Sequence, residues 1–192
     1  MARKTQISQD VILQAAFHML IRDGYASINI TSLSKEIGCS TQPIVWHFGS
    51  MDGLRAELLN YCLNFLKDRF VVNGTNVVEI LEHIAEEYID IALQYPNLYK
   101  YLYISDRDGL KMEELTWKRR FEKNEEMIKM VQAEYHVSSA AARRYLMDLQ
   151  IYVHGMASFV VTTPPISSKS ELIKMIHRAN KAFWQHMKEE RE

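Results

Sequence analysis

Hydrophobic positions recur with a helical period along almost the whole chain. Val11, Ile12, Ala15, Ala16, Met19 and Leu20 stand as adjacent pairs four residues apart, which places them on one stripe of a helix. Ser8 can cap its start, and Gly24 supplies a left-handed stop. A short helix follows around Ile30 to Ile37, capped by Asn29 or Thr31 and ended at Gly38. Another runs from about Gln42 to His47, with Pro43 in its first turn, where the missing N–H costs nothing. Gly49-Ser50 breaks it. Met51 to Arg69 then reads as a longer helix with Leu54, Leu58, Tyr61, Cys62, Phe65 and Leu66 inward, and Val71 to Thr75 as a linker.

Beyond the linker the helices lengthen. Val77 to Gln94 carries Ile80, Leu81, Ile84, Tyr88, Ile89 and Ala92 on one side and is ended by Pro96. Asn97 to Tyr103 reads as a short helix, and Asp106-Arg107-Asp108-Gly109 as a turn. Leu110 to Tyr135 forms a long, charge-rich segment with Trp117, Phe121, Ile128, Val131 and Tyr135 at helical spacing. Ser138 can cap the next helix, whose face holds Tyr145, Leu149, Tyr152, Met156 and Phe159 before Pro164-Pro165. Ser168 with Glu171 is a capping box for a last helix striped by Leu172, Ile176, Ala179, Phe183 and Met187. No strand-like alternation with hairpin turns intervenes. The pattern predicts an all-α protein of about nine helices. Its domains are expected at 1–50, a connecting helix and linker at 51–74, and a helical bundle at 75–192.

Composition narrows the class. The chain has 192 residues, 47% hydrophobic and 24% charged, with 23 Lys+Arg against 24 Asp+Glu. Near-neutrality argues against a surface that coats nucleic acid or anionic membrane as a whole. Residues 1–70 carry seven basic and six acidic side chains, so any DNA contact there must come from placement more than from bulk charge. Cys39 and Cys62 are the only cysteines and fit neither a disulfide framework nor a metal spacing. The N-terminus lacks the apolar core of a signal peptide, and no stretch reaches the ~18 apolar residues of a membrane helix. The expectation is a soluble cytoplasmic protein.

The segment Asn29 to Phe48 holds the most information. Two short helices joined by a Gly-containing turn are the grammar of a helix-turn-helix. The second presents Ser40, Thr41 and Gln42 at its leading end, small hydrogen-bonding groups of the kind that reach base edges and phosphates in a major groove.

Around it, residues Ile7 to Leu59 resemble the DNA-binding domain of the TetR family of bacterial transcriptional regulators. The resemblance is carried by Ala15-Ala16, Asp23-Gly24-Tyr25, Leu33 with Ser34-Lys35-Glu36-Ile37-Gly38-Cys39-Ser40, Ile44-Val45-Trp46-His47-Phe48 and Asp52-Gly53-Leu54. Tyr95-Pro96-Asn97-Leu98 and His154-Gly155 look like features of the family's ligand-binding regions. The resemblance implies a homodimer that sets one reading helix per subunit into successive major grooves of a palindromic operator. Thr31 and Ser32 would lie near phosphates or bases. Ser40, Thr41, Gln42 and Pro43 would sit on the reading helix, and His47 at the phosphate backbone. Trp46 would either pack at the rim, touching the sugar-phosphate surface, or be buried in aromatic packing. Gln42 is the foremost base reader, since a carboxamide pairs bidentately with adenine.

Two positions depart from the family pattern. Val45 stands where a phosphate-binding tyrosine is usual, and Met51 where a lysine is usual. Phosphate contacts supply most non-specific affinity, so both departures weaken DNA binding unless replaced. Arg3 and Lys4 on the N-terminal arm are the expected substitutes.

The remainder would be the sensor. Eight of the ten tyrosines lie beyond residue 71. Tyr99, Tyr103, Trp117, Phe121, Tyr152, Met156 and Phe159 are the expected lining of a pocket for an unknown small molecule. Gly155, Ile176, Ala179, Phe183 and Met187 are the expected dimer contacts, forming a four-helix bundle across a two-fold axis. No phosphate-cradling loop, nucleophile elbow, metal-ligand pair or cofactor motif is present, so neither an enzyme nor a metalloprotein is expected. The resemblance therefore implies a ligand-responsive, repressor-type DNA-binding regulator. A helical adaptor that binds protein and has weak or lost DNA binding is the alternative.

Overall fold

The computed structural model describes residues 7–70, 74–104, 125–163 and 167–189. The described residues form nine α-helices and one 3-10 turn, with no strand among them. The helices are α1 (Gln9–Asp23), α2 (Ile30–Ile37), α3 (Gln42–Phe48), α4 (Met51–Leu66), α5 (Val77–Gln94), α6 (Pro96–Tyr103), α7 (125–135), α8 (Ser139–Thr162) and α9 (Lys169–Glu189). The all-α expectation holds. The Asp106–Gly109 turn, the Pro164-Pro165 stop, much of the Val71–Thr75 linker and the front of the Leu110–Tyr135 segment fall outside the described residues.

Two compact units divide the chain. The first comprises Met1–Arg69 with Tyr95–Leu110, the second Phe70–Gln94 with Lys111–Glu192. Helix α6 thus lies in the first unit although it follows α5 in sequence.

In the first unit the short helices are fixed by their ends. Ser8 accepts the Val11 N–H (3.4 Å) to open α1, and the Gly24 N–H closes it on the Leu20 carbonyl (3.0 Å). For α2 the alternative between Asn29 and Thr31 resolves to Asn29. Its side chain accepts the Ser32 N–H (2.9 Å) while the Ser32 hydroxyl accepts the Asn29 N–H (3.0 Å). Gly38 ends α2 in the left-handed region at φ +75°, where a side chain is strained. Gly53, in the first turn of α4, serves space instead: a Cβ there would overlap the Phe48 carbonyl oxygen at the end of α3. Helix α4 stops at Leu66, short of the expected Arg69, because the N–H groups of Lys67 and Arg69 turn back on Asn64 and Leu66 three residues behind.

These helices pack on α1, whose buried side Ile12, Leu13, Ala16, Phe17, Met19 and Leu20 meets α2, α3, α4 and α6. Leu33, Ile44, Leu54 and Leu58 are fully buried, each contributing about 1.5–3 kcal/mol of transfer free energy. They hold the α2–α3 pair in place.

The second unit packs α8 against α5 and α9. Ser138 caps α8 through the Ala141 N–H (3.1 Å), and Ser168 and Glu171 form the expected capping box on α9. The buried side of α9 is Leu172, Ile176, Asn180 and Met187. Asn180 is polar yet 1% exposed. It accepts a hydrogen bond from the Tyr145 hydroxyl of α8 (2.6 Å) and donates to Glu82 of α5 (3.3 Å). The α5–α9 seam adds Lys169–Asp90 (2.6 Å) and His177–Glu86 (3.0 Å).

Candidate nucleic-acid interface

Helix α3 exposes one coherent face. Ile44 is its buried residue, anchored under α1 and α4. Thr41, Gln42, Val45 and Trp46 are exposed. At 100° per residue these four span one side of the helix, with Thr41 above Val45 and Gln42 above Trp46. The Thr41 hydroxyl makes no cap bond to α3. The first turn therefore offers hydrogen-bonding groups and the second offers apolar ones.

Neighbouring contacts hold this face. The Trp46 ring stands edge-on to His47, 4.6 Å between centroids at 70°. The His47 Nε2 is 2.8 Å from the Ile7 carbonyl oxygen and donates to it in the matching tautomer. His47 thus ties the start of the described chain to the end of α3. At the far side of α2, Arg22 of α1 grips Glu36 through two hydrogen bonds (2.9 and 3.1 Å) and also pairs with Asp23. Its guanidinium holds both carboxyls below their ordinary range, chiefly through hydrogen bonding.

The other residues expected at DNA divide into two groups. Thr31 is exposed in the first turn of α2, Ser40 is exposed in the turn, and Pro43 is half-buried. Ser32 instead directs its hydroxyl into the α2 cap and onto the Ser27 carbonyl oxygen (2.7 Å). Arg3 and Lys4 lie outside the described residues. Val45 is 44% exposed, and between the two expectations for Trp46 the structure favours the open one, at 69% exposure.

The residues expected in the sensor pocket also separate. Tyr99 is fully buried in α6 and meets Tyr103 at 5.0 Å, within the first unit. Tyr152, Met156 and Phe159 line an apolar groove of about 410 Å³ in the second unit, together with Gly155, Leu172 and Met175. Trp117 and Phe121 lie outside the described residues. Of the expected dimer contacts, Ile176 and Met187 are buried within the second unit, Ala179 and Phe183 are half-buried, and Gly155 is exposed. Gly155 belongs to an apolar row that is open along α8: Met147, Ile151, Gly155 and Phe159, four residues apart.

Comparison with known proteins places this architecture. The chain has the fold of the TetR-family regulators. A variant of TetR from Acinetobacter baumannii AYE, in complex with minocycline, matches at a TM-score of 0.66 and 15% identity, over 97% of this chain and 99% of that one. A transcriptional regulator from Rhodococcus sp. Rha1 matches at 0.69 and 16% identity, over 94% and 97%. A cysteine mutant of the TetR family transcriptional regulator CifR, complexed with 26-base-pair double-strand operator DNA, matches at 0.62 and 17% identity, over 94% and 99%. No protein-family model matches the sequence, and no curated protein matches it.

Proposed function

We propose that a chain with this fold works as a TetR-type regulator. It binds an operator as a homodimer through α3 and lets go when a small molecule occupies the helical bundle. The observation that carries the reading is the exposed face of α3, with Thr41, Gln42, Val45 and Trp46 in a capped helix-turn-helix. Proteins of the same fold include one complexed with operator DNA and one with minocycline, which supports both halves of the reading. Gln42 reads a base, Thr31, Ser40 and Thr41 contribute hydrogen bonds, and Arg3 and Lys4 supply phosphate contacts. Such a protein acts where the DNA is, in the cytoplasm.

Self-association uses the α8 row Met147, Ile151, Gly155 and Phe159, with the half-buried Ala179 and Phe183 at its flank. Apolar residues at four-residue spacing with a glycine among them suit a close helix crossing about a two-fold axis. Release requires an effector that binds one separation of the two reading helices better than the other.

A gel-shift series with the DNA flanking the protein's own gene, repeated at rising salt, tests the reading. Retardation above random DNA, with affinity falling steeply in salt, is the expected result. Equal retardation of both DNAs would sink it. The exposed apolar pair Val45 and Trp46 favours a second reading, a protein-binding adaptor. A shallow salt slope and indifference to Gln42→Ala would select that one.

A further inference from the structure

We propose that Val45 and Trp46 are specificity determinants that recognise the C5-methyl groups of thymine in the major groove. The inference rests on the DNA-binding reading above and assigns a chemical target to the half of α3 that the reading leaves unexplained.

Three observations converge. First, no Lys, Arg, Asp or Glu stands between Glu36 and Asp52, so the whole turn and reading helix carry no fixed charge. Discrimination by this element must come from hydrogen bonds and apolar contact. Second, its exposed face is segregated. Thr41 and Gln42 lead, and one turn later Val45 and Trp46 present apolar surface. Third, Trp46 is braced: its ring stands against His47, which is itself bonded to Ile7. A braced ring loses little freedom on contact.

The major groove offers one apolar group among its donors and acceptors, the thymine methyl. Four residues of helix rise about 6 Å, close to two base-pair steps of about 3.4 Å. With Gln42 on an adenine, Val45 and Trp46 thus reach pairs one to two steps away, where a thymine presents its methyl. A valine cannot bond a phosphate, and an apolar pair facing C·G pairs would desolvate donors and acceptors without satisfying them. The face therefore favours T and rejects the alternatives.

The test uses the full-length protein and a random-sequence duplex library. Duplexes retained over several rounds are resynthesised with each thymine replaced in turn by deoxyuridine, which lacks only the methyl. The expected result is one or two positions per half-site where the methyl is worth about fourfold in affinity. Val45→Ser abolishes that preference at one position and Trp46→Ala at the other, while Trp46→Phe, which removes the indole N–H, keeps it. Both side chains are exposed, and circular dichroism confirms that the variants fold. Equal affinity of thymine and deoxyuridine duplexes, alongside clear sequence selection, overturns the inference and leaves the DNA-binding reading standing. Methyl preference that persists in both Val45→Ser and Trp46→Ala overturns it as well. Failure to select any sequence overturns the DNA-binding reading together with it.

Discussion

The side-chain amide of Asn97, at the start of α6, donates to the carbonyl oxygen of Ile21 in the last turn of α1 at 3.0 Å. The last carbonyls of a helix lack partners within it, so a donor from a distant residue acts as a cap. Tyr101 of α6 adds a ring contact to Tyr25 at 4.7 Å. Removing the amide with Asn97→Ala should cost about 0.5–1.5 kcal/mol. Asn97→Asp should cost more, because a carboxylate faces the carbonyl oxygen. Urea midpoints of the three proteins check this ordering, and an Asp variant as stable as the parent contradicts it.

Two glycines should fail for different reasons. Gly38→Ala has open space around its new methyl but a strained backbone, a cost of roughly 1–2 kcal/mol. Gly53→Ala has an ordinary backbone but pushes a methyl into the Phe48 carbonyl, so α3 and α4 must part, at about 1–3 kcal/mol. Only the second should alter the seating of α3. Hydrogen exchange across 42–54 distinguishes them, rising in Gly53→Ala and not in Gly38→Ala.

The Arg22 cluster makes stability depend on acid. Asp23 and Glu36 have folded-state pKa values below their ordinary ones. Their contribution is therefore present above the unfolded-state values and lost as pH falls through the lowered folded ones. Denaturant midpoints of the parent and Arg22→Ala should differ near pH 7 and converge as pH falls below the ordinary carboxylate range. All three side chains are exposed, so added salt should narrow the neutral-pH gap too. A gap that ignores both pH and salt would assign Arg22 a packing role instead.

Gly155 separates folding from association. A Cβ at that position meets nothing within 4 Å in the protomer. Gly155→Ala should raise helix stability by roughly 0.5–1 kcal/mol, while larger residues should block the proposed crossing of α8. Sedimentation is expected to find Gly155→Leu and Ile151→Glu monomeric with unchanged helicity. If both remain dimeric, the association face lies elsewhere.

Much of this arrangement is legible in the residues. Ser8, Ser138 and the Ser168–Glu171 pair mark helix starts because capping is a local bond between near neighbours. The partner of a helix is another matter. Nothing within Pro96–Tyr103 announces that it packs on α1, since its periodicity serves any apolar neighbour. The α9 stripe also misled at one step, choosing Ala179 where the buried residue is Asn180. A polar residue enters a core only when partners from other helices satisfy it, and Tyr145 and Glu82 are remote in sequence. Likewise Met147 and Ile151 on α8 look like core until the helix's other side is seen to fill that role.

Asn180 has a consequence for alignment. Apolar stripes on α8 and α9 would tolerate a slide of one turn, since one aliphatic contact replaces another at little cost. Sliding α9 by four residues brings Ile176 or Trp184 to the place of Asn180. The Tyr145 hydroxyl and the Glu82 carboxylate are then left facing a hydrocarbon or an indole edge that satisfies neither as the carboxamide does. The carboxamide works as a key with one slot, converting a greasy interface that could settle in several positions into one that locks in a single register.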